Sequence, residues 1–440
     1  MKKQISFIFF MCSTLNLYSI KDKQINKIAM QLSTSIDDIK KTVPNWKETK
    51  STQDVINAYV AFKKQDKKPK DLIPVVSIYD LLQKYPSIQF MKCHDAQPFQ
   101  YKPFPISAFP KYQPSQGIFC ETFIAIIPKG EVFSKNGYVK TGHNIMAETW
   151  YENQYAWQLN KLKNETPVLK NSPHKFTGRV AVITQTSEWC YFIWMTQVLE
   201  RLRMIEESGL TYDWIYVTCN KPFMKETLKL FNIDPAKIID PEKYGYIQAD
   251  ELLVPSLPTR KTLNNNKLFC DDLNLASFCS NEIIHHLQQI FLPLTQNVDT
   301  SDFSKKIFIS RKDSANRRLT TNEDEIFSLF EPFGFKRYCL TDFSVLEQAA
   351  LFNNANIIVA THGAALTNLI FCKPHTKVIE IFQARSSCTY WYMSQQLNLD
   401  YFYIKTMNFD AKNMVGTKNL AIPLEKIQEF SASHSDILSN

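Results

Sequence analysis

Three polar features follow apolar runs in the second half of the chain, and their types suit one ligand. The first is Arg311, directly after Ile307-Phe308-Ile309-Ser310, with Lys312, Arg317 and Arg318 close behind. A guanidinium keeps its charge, and its fork of N–H donors matches two phosphate oxygens. A solvated basic loop is the plainer reading of the same residues. The second is Thr361-His362-Gly363-Ala364, at the end of Asn356-Ile357-Ile358-Val359-Ala360. Glycine lets backbone come close to a ligand, and a helix opening there turns free N–H groups towards an anion. A structural turn is the plainer reading. The third is Glu380, in the apolar run Val378–Phe382. An acid there is either buried with a partner or at the rim, where it can accept hydrogen bonds from ribose hydroxyls. Together the three suggest a nucleotide diphosphate; no single one does.

What the chain lacks narrows the chemistry. It has only ten glycines, where average usage of about 7% would give roughly 30. There is no G-x-x-x-x-G-K-[ST] and no G-x-G-x-x-G; Gly137 and Gly142 have the first spacing, but His143 and Asn144 follow. P-loop, kinase and dinucleotide-fingerprint readings lose their support. No D-x-D pair is present, so a diphosphate charge would be met by arginines and a helix terminus rather than by a carboxylate-held cation. H-E-x-x-H and G-x-S-x-G are absent as well.

The elements that must carry these residues alternate. Lys306–Ser310 reads as a strand, Asn322–Phe330 as a helix with Glu323, Asp324 and Glu325 in its first turn, and Arg337–Leu340 as a strand. Ser344 and Glu347 form a capping box that opens the helix Val345–Phe352. Asn356–Ala360 is a strand, Leu366–Phe371 a helix, and Lys377–Phe382 a strand. An earlier block has strands at Arg179–Thr184, Asp213–Cys219, Ile238–Ile239 and Glu251–Val254, and helices at Glu188–Glu207, Phe223–Phe231 and Asn281–Phe291. Strands alternating with helices predict parallel sheets, and a break near 293–304 predicts two Rossmann-like domains with the ligand between them. Residues 71–175 are punctuated by prolines and predict short strands and turns, such as Phe119–Ile127.

The 440 residues suit two or three domains. The formal charge is +8. Residues 1–20 hold two lysines and no acid, and 21–70 hold 12 lysines against 6 acids, so the remainder is neutral. That basic stretch reads as a wet face, or as a peripheral contact with an anionic membrane; a nucleic-acid partner for the main body is not expected. Met1-Lys2-Lys3 before the apolar run Ile5–Cys12 has the form of a signal peptide or anchor, which leaves location open between the cytoplasm and a membrane. Ten cysteines without a C-x-x-C read as reduced thiols.

The run Ile307–Lys312, then Arg317-Arg318, Asn322-Glu323, Glu347-Gln348, Leu351-Phe352, Thr361–Asn368, Phe371 and Val378-Ile379-Glu380 resembles glycosyltransferase family 61. Ala249–Ser256 resembles the family's segment before its interdomain crossover, and the resemblance covers about 180–385. It implies a GT-B fold: an acceptor domain over 71–295 and a donor domain over 303–410. These are flanked by a basic helical extension over 21–70 and a tail over 411–440. It implies an inverting, metal-independent hexosyl- or pentosyltransferase with no cofactor. Such an enzyme moves a sugar from a nucleotide donor, commonly UDP-linked, to a glycan or glycoconjugate hydroxyl, as in building a capsule or another surface polysaccharide. Arg311 with Arg317 or Arg318 would then neutralise the diphosphate. His362, Gly363 and Ala364 would complete the donor site, with Asn368 on the following helix and Glu380 facing the ribose.

One stretch departs from the family. Where N-Y-x-H-W and a later acid are usual, this chain has Cys190-Tyr191-Phe192-Ile193-Trp194 and Gln197. Neither Ile193 nor Gln197 can take a proton from an acceptor hydroxyl. Glu188, Glu200 and His143 are the substitute candidates for the base. The alternative expectation is a catalytically degenerate module that binds a nucleotide sugar or glycan without turnover.

Overall fold

The structure, a computed structural model, describes residues 73–105, 115–119, 121–149, 164–257, 263–264, 267–268, 278–313, 319–382, 387–406, 419 and 421–439. The expected segments 1–20 and 21–70 lie outside them, as do Arg317 and Arg318. Val75–Tyr151 and Val168–Asn440 together form one compact unit, which holds two large sheets.

The first sheet has ten strands, and its early part is antiparallel but for the short parallel pairing of Val75–Val76 with Ile145-Met146. β1 (Val75–Val76) leads into helix α1 (Ile78–Lys84), capped by the Ser77 side chain, and then β2 (Gln89–His94). β3 (Gln97–Gln100) and β4 (Gln116–Phe119) pair only with each other. β5 (Thr122–Pro128), β6 (Glu131–Phe133), β7 (Tyr138–Thr141) and β8 (Asn144–Met146) follow through tight turns. The expected single strand Phe119–Ile127 is thus two strands, broken before Thr122.

The rest of this sheet is parallel. β9 (His174–Val182) is followed by a helical run that is not uniform. It comprises α2 (Tyr191–Ile193), a π-helical turn (Trp194–Val198) and α3 (Leu199–Ser208), which stops at Gly209 with φ 70°. β10 (Trp214–Tyr216), α4 (Pro222–Leu230), β11 (Ile238–Ile239) and β12 (Tyr246–Pro255) complete it. The order is β1-β8-β7-β6-β12-β9-β10-β11, with β5 on β12 beyond β6 and β2 on β5. β12 runs parallel to β9 but antiparallel to β5 and β6, so it joins the two parts. The expectation of parallel sheet thus describes only half of this layer.

A hairpin of β13 (Leu263–Asn264) and β14 (Lys267–Leu268) precedes α5 (Asn281–Thr295), which Ser280 caps. The second sheet then forms from β15 (Lys306–Ile309), β16 (Lys336–Tyr338), β17 (Ile357–Thr361), β18 (Lys377–Phe382) and β19 (Asp400–Lys405). All its pairings are parallel, in the order β16-β15-β17-β18-β19. Between them lie α6 (Glu323–Phe330), α7 (Val345–Asn354) and α8 (Thr389–Gln396). α7 opens with the expected capping box of Ser344 and Glu347. The helix expected at Leu366–Phe371 is a 3-10 helix over Ala364–Phe371. Gly334, at φ 86°, ends the short turn after α6 as a left-handed cap.

Residues 421–439 pack as part of this layer, not as a loose tail. α9 (Leu424–Ser433) and α10 (Ser435–Ser439) place Ile422, Ile427, Phe430 and Leu438 against Phe308, Ile357 and Ile379. A larger core runs between the two sheets, joining Ile183, Trp194, Leu199 and Leu253 with Ile309, Ala349, Leu366 and Ile370. Among the described residues no helix is long and apolar enough to cross a membrane.

Candidate functional site

The second sheet has a reversal of winding between β15 and β17. The chain steps from β15 outwards to β16, then returns to β17 on the other side and continues to β19. In such sheets the loops at the carboxyl ends of the two central strands diverge and leave a crevice, where ligands bind. Arg311 lies just beyond β15, and His362-Gly363 lies just beyond β17. The topology thus brings together two of the features singled out in the sequence.

Their contacts are close. Arg311 Nη1 donates to the His362 carbonyl at 3.1 Å. The guanidinium crosses the open face of Gly363, where a Cβ would lie 1.6 Å from Nη1 and 2.8 Å from Cζ. The sequence suggested that a ligand approaches the backbone at Gly363; the group that approaches is the arginine's own side chain. The base of the loop is held by Glu323, at the start of α6. Its carboxylate accepts from Ser310 Oγ at 2.5 Å and from the Arg311 backbone N at 2.7 Å. Ala364 is half-buried and begins the 3-10 helix.

Glu380 does not sit at a rim. Its side chain has 0% exposure, and both carboxylate oxygens are engaged: Oε1 by His362 Nδ1 and Oε2 by the Tyr401 hydroxyl. As placed, it faces His362, just beyond β17, and Tyr401 on β19 rather than the open rim where a ribose was expected. Burial, and then the charge of Glu380, push the Tyr401 phenol well above its usual range, so it stays protonated and donates. The His362 ring stacks on Phe382 with centroids 5.5 Å apart and lies 5.6 Å from the Tyr390 ring.

Asn368 is also fully buried. It accepts from the Tyr191 hydroxyl at 2.8 Å and donates to Gln348 Oε1 at 3.0 Å. It therefore ties the start of α2 to the 3-10 helix and α7; as placed, its amide is committed within the protein rather than to a donor.

The three candidates for the base separate clearly. His143 is exposed in the turn between β7 and β8. The turn at the other end of β7 packs on the end of β9, where Lys135 O accepts from Thr184 Oγ1 at 3.0 Å. His143 therefore lies at the opposite end of β7 from that contact. Glu200 is buried in a two-bonded ion pair with Arg203, both bonds 2.9 Å, and accepts from Ser280 Oγ at 3.2 Å. As placed, His143 lies in an exposed turn and Glu200 is committed within the protein.

Glu188 is different. It lies beyond the carboxyl end of β9, 5% exposed, accepting from Thr184 Oγ1 at 2.6 Å. Burial pushes its carboxyl up to about 7, against smaller opposing effects of Thr184, Thr218, Gln185 and Arg201. The first sheet also changes winding direction here, between β9 and β12. Arg201 bridges the ends of these strands, donating to Thr184 O at 2.6 Å and Pro255 O at 3.1 Å. Burial lowers its guanidinium to about 9, with Glu188 as the opposing charge. Gln185 Nε2 donates to Gln197 Oε1 at 2.8 Å, and the other two amide atoms of this buried pair, Gln185 Oε1 and Gln197 Nε2, have no hydrogen-bond partner among the described residues. Ile193 packs partly buried against the core.

Sequence reasoning missed Arg201, Gln185, Tyr191 and Tyr401. An arginine in a helical run reads as a surface residue. Tyr401 had a signal: an acid in an apolar central strand needs a polar partner on a neighbouring strand.

The family whose description is Glycosyltransferase 61 matches residues 118–379. The match starts well before residue 180, so it takes in the antiparallel strands β5 to β8 as well as the two parallel regions. No curated protein matches the chain.

Proposed function

This chain belongs to glycosyltransferase family 61, and from that premise we propose that it is an inverting, metal-independent transferase. It would use a nucleotide-diphosphate sugar, UDP-linked, and transfer the hexosyl or pentosyl group to a hydroxyl of a surface polysaccharide or glycoconjugate. The observation that carries this reading is the interlock of Arg311 with Gly363 at the reversal point of the second sheet. It holds a permanent positive charge in the crevice where the fold receives ligands. A leaving diphosphate needs charge neutralisation in the transition state, and a preorganised guanidinium supplies it without reorganising.

The proposed arrangement is GT-B: the second layer takes the donor and the first layer takes the acceptor. The acceptor hydroxyl must lose a proton as its oxygen attacks the anomeric carbon. Glu188 is the proposed base, since it is the candidate that lies at a ligand-binding strand end and has a carboxyl poised near neutral pH. The 60%-exposed indole of Trp189 beside it offers an apolar face to a sugar ring. The second reading, binding without turnover, rests on Ile193 and on Gln197, whose amide oxygen is taken by Gln185.

The test is product analysis. Purified protein incubated with UDP-sugars and oligosaccharide acceptors, with EDTA present, is followed by NMR. A glycoside of inverted anomeric configuration supports the proposal. A retained configuration, or loss of transfer on adding EDTA, contradicts it.

A further inference from the structure

We infer that Tyr401 and Glu380 are positioning residues that hold the His362 ring so that its Nε2 faces the phosphate oxygens of the donor beside Arg311. The inference rests on the nucleotide-sugar reading of the same crevice. Three observations carry it. His362 Nδ1 is committed to Glu380, whose other oxygen is taken by the Tyr401 hydroxyl. Among the described residues nothing hydrogen-bonds Nε2, while the side chain keeps 15% exposure. The backbone of the same residue accepts the Arg311 guanidinium and donates to Ile381 O at 2.9 Å, which fixes where the ring starts.

The chemistry follows from burial. A carboxyl group with 0% exposure needs hydrogen-bond partners. His362 and Tyr401 supply them, one at each oxygen. With Nδ1 taken by Glu380, the ring's remaining nitrogen is Nε2, which can donate as N–H. Beside a guanidinium, the group that such a donor meets is an anion's oxygen. Tyr401 comes from the edge strand β19 and makes no such contact itself. It acts by occupying Oε2, so that the carboxylate cannot turn away from the ring, and Phe382 and Tyr390 limit the ring's rotation.

The experiment is calorimetric titration of the full chain with UDP. The variants are Arg311→Ala, His362→Ala, Tyr401→Phe, and the double variant His362→Ala with Tyr401→Phe. We expect Tyr401→Phe to weaken UDP binding about fivefold, the effect of one modest hydrogen bond. The double variant should bind no more weakly than His362→Ala alone, because Tyr401 acts only through the ring. Wild-type affinity in Tyr401→Phe, or losses that multiply in the double variant, would overturn the inference. UDP binding that survives Arg311→Ala unchanged would overturn the nucleotide reading and this inference with it. Loss on Arg311→Ala with normal binding in Tyr401→Phe would sink the inference alone. A second readout stands even if Tyr401→Phe does not fold: in wild-type protein labelled at histidine nitrogens, UDP should shift His362 Nε2 far more than Nδ1. An unmoved Nε2 signal contradicts the assignment.

Discussion

Gly363 has an extended backbone, φ 173° and ψ 170°, that any residue can adopt. Space, not conformation, demands glycine there, because the Arg311 guanidinium occupies the place of a Cβ. Gly363→Ala should therefore displace the arginine while leaving the fold intact. We expect UDP affinity to fall at least tenfold, about 1.4 kcal/mol, with a melting temperature close to wild type. Glu188 gives a second prediction, with two signs. As a base it must be ionised, so turnover should rise with pH through about 7, and Glu188→Gln should remove that limb and lower kcat by roughly 10²–10⁴. For stability the sign is opposite. Its carboxyl is raised from 4.5 to about 7 in the fold, so between those values the folded state holds more protons than the unfolded. Stability should fall as pH rises through that window, and Glu188→Gln should flatten the dependence in denaturant titrations. At this scale the sequence was partly legible. Arg311 and His362 stood out by type and by place after apolar runs. For Glu380 the sequence left burial and the rim equally open, and only the partner on the next strand decides between them.

Elements were legible where one period dominates. β15, β17 and β18 are short apolar runs, and α7 announces itself by its capping box, whereas the polar β16 and the mixed edge strand β19, which was not expected, show no such run. The π-helical turn at Trp194–Val198 leaves no mark, since each residue there also fits an α-helix. Such turns recur at functional sites, and this one presents Gln197 to Gln185 near Glu188. The short antiparallel strands β6 to β8 are three or four residues long, too short for alternation to show. A prediction belongs to α7. Its first N–H groups, from Val345 and Leu346, are bonded by both carboxylate oxygens of Glu226 on α4, at 2.8 and 3.0 Å. Glu226→Ala should cost about 2 kcal/mol, more than the roughly 1 kcal/mol of Ser344→Ala, because it removes a charge at a helix N-terminus as well as two bonds. Urea melts of the two variants compare these losses.

Within the unit that holds both sheets, the largest core is shared between them, with Tyr191–Asn368 and Glu226–α7 as polar ties. None of these long-range pairs could be read from spacing along the chain. The last twenty residues show the same limit. They read as a tail, yet Ile422, Ile427, Phe430 and Leu438 are buried, and Lys306 Nζ donates to Leu438 O and Ser439 O at 2.7 and 2.9 Å. At roughly 1.5–3 kcal/mol for each buried apolar side chain, deleting residues 421–440 should abolish cooperative thermal unfolding, checked by calorimetry.

The central claim is that the crevice between β15 and β17 binds and activates a nucleotide sugar. Its most direct test is the release of nucleotide from a panel of UDP- and GDP-sugars with an acceptor mixture, comparing wild type with Arg311→Ala. The account predicts UDP release by wild type and its loss, at least a hundredfold, in the variant. Equal release by both proteins, or release from no donor by either, would contradict it.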